Sequence, residues 1–297
     1  MSETHQIICI GSVLWDVIGR TPEAMELGND KPGRIERLPG GVAMNIAMAL
    51  ARGSLCPVLL TALGRDEAGD ALVSFARAKG MVTDHVTRLA DHPTDIYMAI
   101  EGAGGLVAAL ADAHSLEAAG PAIFAPLVDG TFGSAEAPFV GPVVLDGNLT
   151  VPVLEEIAAS PAFAAADLRV APASPGKAER MLPLLGHPGV TLYVNLEEAG
   201  LICSEDFHDT AAAARAVSAK GAARVLVTDG AAATVDARGE DMVAAVPPEI
   251  MVVRVTGAGD TFMAAHIAAE LGGAGRAEAL ASAQQITAAY VSGETEV

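Results

Sequence analysis

Basic side chains are scarce in this chain: Lys and Arg total 18 against 37 Asp and Glu, a formal net charge of −19 over 297 residues. Nucleic-acid backbones are held by clustered Lys and Arg, so this balance argues against DNA or RNA polymers as partners. It does not exclude a small phosphorylated ligand, which needs only a few N–H groups, one or two basic side chains and a metal ion bringing its own charge. Long apolar runs are also lacking. Hydrophobic residues make up 51% of the chain and mean hydropathy is +0.39, yet Gly, Pro or charge interrupts the apolar stretches well before membrane-spanning length. A soluble protein with no membrane partner is expected. Cysteine is limited to Cys9, Cys56 and Cys203, too widely spaced for a disulfide framework or a metal cluster, and a reducing, cytoplasmic setting fits best. The opening Met1-Ser2-Glu3-Thr4-His5 has no basic segment followed by an apolar core, so no secretory leader is expected. There is no internal repeat and no linker, which favours a single domain over residues 1–297.

What is present is concentrated near the C-terminal end, in Arg254-Val255-Thr256-Gly257-Ala258-Gly259-Asp260-Thr261-Phe262. Small residues ahead of a helical run leave backbone N–H groups bare at the positive end of a helix dipole, a place suited to phosphate oxygens. Asp260 stands beside them, able to take a proton from an attacking hydroxyl while the phosphate charge is held. Phosphoryl transfer is the reaction this arrangement suits. Taken alone, the same stretch also reads as a tight turn followed by an ordinary helix N-cap.

Along the chain, Gln6 to Ile10 is a short β-rich run that predicts a buried first strand, with Asp16 just past its C-terminal end. Residues 20 to 39 hold three prolines and little periodicity, which predicts an excursion from the sheet. A Gly40-Gly41 turn then enters an Ala-rich helix with Asn45 in its first turn. Cys56 to Ala62 reads as the next strand, and a helix ends near Lys79-Gly80. From Thr94 to Asp112 two short strands flank Glu101-Gly102-Ala103-Gly104-Gly105, a hairpin set among βα units and a candidate lid. Strands at Val143–Leu145, Leu168–Val170, Val190–Val194 and Arg224–Val227 alternate with helices near Val151–Ala159, Ala178–Leu185 and Asp209–Lys220. Two helices separated by Gly272-Gly273 close the chain. The alternation predicts an α/β fold with a doubly wound, mostly parallel sheet.

Four segments in order carry a resemblance. Gly40-Gly41-x-x-x-Asn45, Asn195-Leu196-Glu197-Glu198, Val227-Thr228-Asp229-Gly230 and Thr256-Gly257-Ala258-Gly259-Asp260 resemble the signatures of the ribokinase-like carbohydrate and nucleoside kinases, over nearly the whole chain. That resemblance implies a ribokinase-like sheet flanked by helices, a small β lid from about 17–39 and 94–113, ATP and Mg²⁺ as cofactors, and pairing of the lid in a homodimer. Within the family, Leu145-Asp146-Gly147-Asn148-Leu149, Ala171-Pro172-Ala173-Ser174-Pro175-Gly176-Lys177 and Leu110-Ala111-Asp112-Ala113 are similar to pseudouridine kinases, which phosphorylate the ribose 5′-hydroxyl of a C-linked nucleoside. Ribokinase and adenosine kinase share the scaffold and would leave many of the same marks.

By this resemblance Asp260 is the base, and Gly257, Ala258 and Gly259 form the anion hole. Asp16, Gly40, Gly41 and Asn45 bind the sugar, joined by Asn148 and Lys177. Asn195, Thr228 and Gly230 line the nucleotide phosphates, and Glu198 holds Mg²⁺ through water. The chain also departs from the pattern. Family members commonly carry Asp or Asn two residues before the Thr of the late signature, where an acid helps hold a monovalent cation. This chain has Arg254, which puts potassium dependence in doubt. Ala171 replaces the Asp or Asn usual before Pro172, Val194 the Pro usual before Asn195, and Ala233 a common Gly. A nucleoside-binding regulatory protein that has lost efficient transfer is the alternative these departures raise.

Overall fold

The computed structural model describes residues 6–26 and 28–294. The Met1–His5 stretch, read above as no secretory leader, lies outside the described residues, as does Leu27 within the expected 17–39 excursion. The chain runs β1 (Ile7–Ile10), β2 (Leu14–Arg20), β3 (Arg34–Gly40), α1 (Val42–Arg52), β4 (Pro57–Leu60), β5 (Ala62–Gly64), α2 (Glu67–Ala78), β6 (Thr87–Leu89), β7 (Ile96–Gly102), β8 (Gly105–Asp112), α3 (Ser115–Ala119), β9 (Pro142–Asp146) and α4 (Val151–Ala159). It continues through β10 (Asp167–Ala171), β11 (Val190–Asn195), α5 (Leu196–Cys203), α6 (Thr210–Ala219), β12 (Arg224–Thr228), β13 (Thr234–Arg238), β14 (Asp241–Ala245), α7 (Ala258–Leu271) and α8 (Arg276–Val291).

Short apolar runs bounded by polar or small residues build the large sheet, in the order β14-β13-β12-β11-β10-β9-β1-β4. Pairing is parallel from β4 through β12, and the last two strands join antiparallel. Both faces are covered, so the strands are apolar on both sides and successive residues enter different cores. Ile8, Ile10, Val143, Leu145, Leu192 and Val225 pack with α4, α5 and α6 on one face. Ile7, Cys9, Val144, Tyr193 and Leu226 pack with α1, α2, α7 and α8 on the other. Each such fully buried Val, Leu or Ile side chain contributes about 1.5–3 kcal/mol. The doubly wound α/β expectation is met.

A second sheet, β3-β2-β7-β8, stands apart from the first. Here several expectations shift. Asp16 does lie past the end of the first strand, but inside a further strand, β2, because the chain leaves β1 at Gly11-Ser12 and restarts at Leu14. Part of the 20–39 excursion is itself a strand: β3 pairs antiparallel with β2 from Arg34 to Gly40, although its side chains are mostly exposed and give no apolar pattern to read. Cys56–Ala62 splits at Thr61 into β4 and β5, which join different sheets. The 178–185 helix is a 3-10 segment, Pro175–Leu184, with Pro183 inside it. The β7–β8 hairpin stands as expected, turning at Gly102–Gly105.

Candidate active site

The parallel strands deliver their carboxyl ends to one edge, where open α/β sheets place ligands. Ser12 follows β1, Asp146 ends β9, Ala171 ends β10, Asn195 ends β11 and Thr228 ends β12. Register sets Ala171 beside Asp146 and Asn195 beside Thr228.

Asp260 enters this edge on the first turn of α7. Gly257 caps the helix at φ +81, a left-handed conformation that favours glycine, and a Cβ there would lie 2.6 Å from the Tyr290 hydroxyl. Among the described residues no side chain caps the helix, and the space beside Gly259 is open for 4 Å. The Ala258 N–H, expected to face an anion, donates to the Val255 carbonyl at 3.0 Å. A phosphate oxygen must therefore compete with Val255 for it, which tempers the expected part of Ala258 in the anion hole. Asn45 Nδ2 donates to Asp260 Oδ2 at 2.8 Å. Burial raises the Asp260 carboxyl to about 6; the Asn45 bond opposes that rise, and the Asp146 charge adds to it.

Asn45 is held by the turn that starts α1. Gly41 is at φ +96, and a Cβ there would press on the Ser12 carbonyl, so a side chain would both strain the backbone and strike the turn after β1. Gly40 is packed as closely on the Asp16 carboxylate, leaving no room for a Cβ. Asp16 lies in β2 opposite Leu38 of β3 and Tyr97 of β7. Burial lifts its carboxyl to about 6. The structure thus brings Asp16, Gly40, Gly41, Asn45 and Asp260 together.

Two residues that bind this region together received no role from the sequence. Asp146 is fully buried and accepts from the Ser12 amide (2.8 Å), the Ser12 hydroxyl (2.9 Å), the Asn148 amide (2.8 Å) and the Ala43 amide (3.2 Å). Its burial raises the carboxyl, and those donors oppose the rise. Ser12 donates to Asp146 and accepts from the Val42 amide (3.0 Å) and Asn148 Nδ2 (2.8 Å). A single carboxylate thereby ties the ends of β1 and β9 to the start of α1. The sequence signal is an acid closing the apolar run Val143-Val144-Leu145. Lys177 joins the same chain, donating from Nζ to Asn148 Oδ1 at 2.5 Å, and burial lowers its ammonium.

Asn195 and Glu198 form a reciprocal cap on α5. Asn195 Oδ1 accepts from the Glu198 amide (2.8 Å), and Glu198 Oε2 accepts from the Asn195 amide (2.9 Å). Asn195's side-chain oxygen is therefore committed to the helix, which leaves its amide end as the group to offer a ligand. Glu198 is buried, and burial lifts its carboxyl to about 7; the Asn195 amide opposes, while Glu197 and Asp260 add like charge. A cation nearby would relieve that like charge, although no group of three or more His, Cys, Asp or Glu among the described residues is set to hold one. Thr228 lies beside them, and Gly230 turns at φ +49 in the following loop. Among the departures, Val194 and Ala171 are buried in the two cores, and the Ala233 carbonyl accepts from the Thr210 hydroxyl at 2.7 Å.

Comparison with known proteins adds to this geometry. The model of the pfkB family carbohydrate kinases matches residues 4–295. Pseudouridine kinase of Escherichia coli (strain K12) is 31% identical over 113 residues, 38% of this chain and 36% of that protein. An uncharacterized sugar kinase of the same organism, YeiI, is 30% identical over 156 residues, 52% of this chain and 41% of that protein. The matched stretches thus span well under half the length of these curated relatives. The structure of a carbohydrate kinase from Agrobacterium tumefaciens is similar at a TM-score of 0.80 and 26% identity, covering 96% of this chain and 90% of that one.

Proposed function

This chain belongs to the pfkB family of carbohydrate kinases, and on that premise we propose that it transfers the γ-phosphoryl group of ATP to the 5′-hydroxyl of a ribonucleoside, with pseudouridine, giving pseudouridine 5′-phosphate, as the preferred acceptor. The observation that carries the reading is the Asn45–Asp260 hydrogen bond, which joins two glycine-bearing signatures 215 residues apart at one carboxylate. The choice of pseudouridine is supported by the partial likeness to pseudouridine kinase and by the Lys177–Asn148 hydrogen bond, which joins two of the segments that carry the narrower resemblance.

In this reading Asp16, with Gly40 and Gly41 giving backbone access, orients the ribose, and Asn45 contacts the sugar while positioning Asp260. A carboxyl near 6 is mostly ionised at neutral pH yet basic enough to accept the hydroxyl proton as that oxygen attacks phosphorus and ADP departs. Gly257, Ala258 and Gly259 hold the charge on the transferring group from the start of α7. Asn195, Thr228 and Gly230 would line the polyphosphate, and Glu198 would hold Mg²⁺, through water, when the ion is bound. When bound, Mg²⁺ neutralises phosphate charge. The small sheet serves as a lid that excludes water, and a cytoplasmic setting accompanies the activity. Strand β8 is exposed along its whole length, with Leu106 62% and Leu110 69% exposed, which favours cover by a second copy in a homodimer.

ADP release from purified protein with Mg-ATP and a panel of pseudouridine, uridine, adenosine and ribose tests the proposal. Pseudouridine is expected to give the highest kcat/KM. Preference for ribose or adenosine would reassign the acceptor within the family, and tight nucleoside binding without turnover on any acceptor would favour the regulatory alternative.

A further inference from the structure

The family resemblance implies a monovalent cation beside the anion hole, held in part by an acid at position 254. The described residues do not fit one. The Arg254 guanidinium lies over the Tyr290 ring, its carbon 3.9 Å from the ring centroid, and its Nε donates to the Tyr290 carbonyl at 2.7 Å. The Val253 and Arg254 amides both donate to the Val291 carbonyl, at 2.9 and 3.2 Å. These carbonyls end α8, at the negative end of its dipole, where a cationic side chain is favoured. An alkali ion is held by oxygens that replace its hydration shell, and here those oxygens already receive N–H donors and a fixed positive charge. The Tyr290 hydroxyl carries the contact onward: it donates to the Thr256 carbonyl at 2.9 Å and abuts Gly257, the cap of the helix that bears Asp260.

We infer that Arg254 takes the place of the monovalent cation. Through Tyr290 it is a positioning residue that fastens the 253–257 turn to α8 and supplies a permanent positive charge near the phosphate turn, so that turnover needs no potassium. A planar guanidinium suits this role because it stacks on an aromatic ring and cannot lose its proton. The inference rests on the kinase reading for its rate measurements, though not for its measurement of melting.

The test compares initial rates in potassium chloride and tetramethylammonium chloride at equal ionic strength, for the full-length protein and for Arg254→Ala, with melting temperature followed in the same two salts. The wild-type rate is expected to agree within about twofold between salts, since a screened surface charge effect alone remains. Arg254→Ala is expected to lose ~10-fold or more in kcat with KM for the nucleoside little changed, and to regain rate on addition of guanidinium ion, a recovery that damage to packing alone would not give. A wild-type rate that falls ~10-fold without potassium overturns the inference. So does a wild-type kcat in Arg254→Ala, or a loss that guanidinium leaves untouched. Should Arg254→Ala not fold, Arg254→Lys keeps the charge without the flat stack and is expected at an intermediate kcat in both salts; a potassium-stimulated rate in it counts against the inference. If no acceptor is phosphorylated in any salt, the kinase reading fails, and melting still decides about Arg254. Equal wild-type melting temperatures support it, and a potassium-specific rise refutes it.

Discussion

Replacing Asn45 by Leu keeps the side-chain size and removes one hydrogen bond, and its effect on rate is set by a titration. Asn45 donates to Asp260 at 2.8 Å and opposes the burial that pushes that carboxyl up to about 6. A hydrogen bond to a charged group is worth about 1.5–3 kcal/mol, and one pKa unit corresponds to about 1.4 kcal/mol. Its loss therefore raises Asp260 by roughly one to two units, to about 7–8. A general base works only when ionised, so the acidic limb of the pH–rate profile moves to higher pH by the same amount. Near pH 7 the ionised fraction falls from roughly nine-tenths to between a tenth and a half, and near pH 9 it is nearly restored. The assay is kcat/KM for the nucleoside between about pH 5 and 9 with Mg-ATP saturating. A rate deficit that shrinks towards high pH, down to the pH-independent loss of the sugar contact, is expected. If Asn45→Leu instead loses the same factor at every pH, Asn45 acts on the substrate alone and Asp260 is not the group whose titration limits the rate.

Two further outcomes follow from the buried acids. The Asp260 carboxyl is raised on folding, so between its unfolded value near 3.8 and about 6 the folded state binds more protons, and stability falls as pH rises through that window. Asp260→Asn removes this liability: the ligand-free variant is expected to be ~1–3 kcal/mol more stable than wild type near pH 8, with the gap closing below about pH 4, as read by denaturant melts. No gap at pH 8 would show that the carboxylate is not desolvated. Asp146→Ala orphans the Ser12, Ala43 and Asn148 amides together, and is expected to cost ~3 kcal/mol or more of stability and to lower acceptor affinity by loosening α1. An unchanged melting temperature would contradict its role as the tie between β1, β9 and α1.

The phosphate turn, the Gly40-Gly41 entry to α1 and the alternation of the main sheet were legible because each has a local cause: a left-handed glycine, a helix start, a short apolar run between breakers. The match to the family model bears out the resemblance read from those segments. Strand β3 was not legible, since its ladder partners β2 while its side chains face solvent and carry no periodic signal. The β13–β14 hairpin escaped for a related reason: it ends the sheet antiparallel, outside the βα rhythm that marks the other strands. Asp146 and Ser12 were invisible as a pair because their bond spans 134 residues, a distance no local pattern encodes. Arg254 stood out as a departure, but its partner Tyr290, on the last helix, emerged only in three dimensions.

Single-turnover transfer of labelled γ-phosphate from Mg-ATP to a nucleoside, run on wild type and Asp260→Asn alongside nucleoside binding, addresses the central claim most directly. Wild type is expected to form the nucleoside 5′-phosphate, and the variant to lose roughly 10²-fold or more in rate with nucleoside affinity largely kept, because the shape remains and the base is gone. A variant that transfers phosphate at the wild-type rate would contradict the assignment of Asp260 as the base.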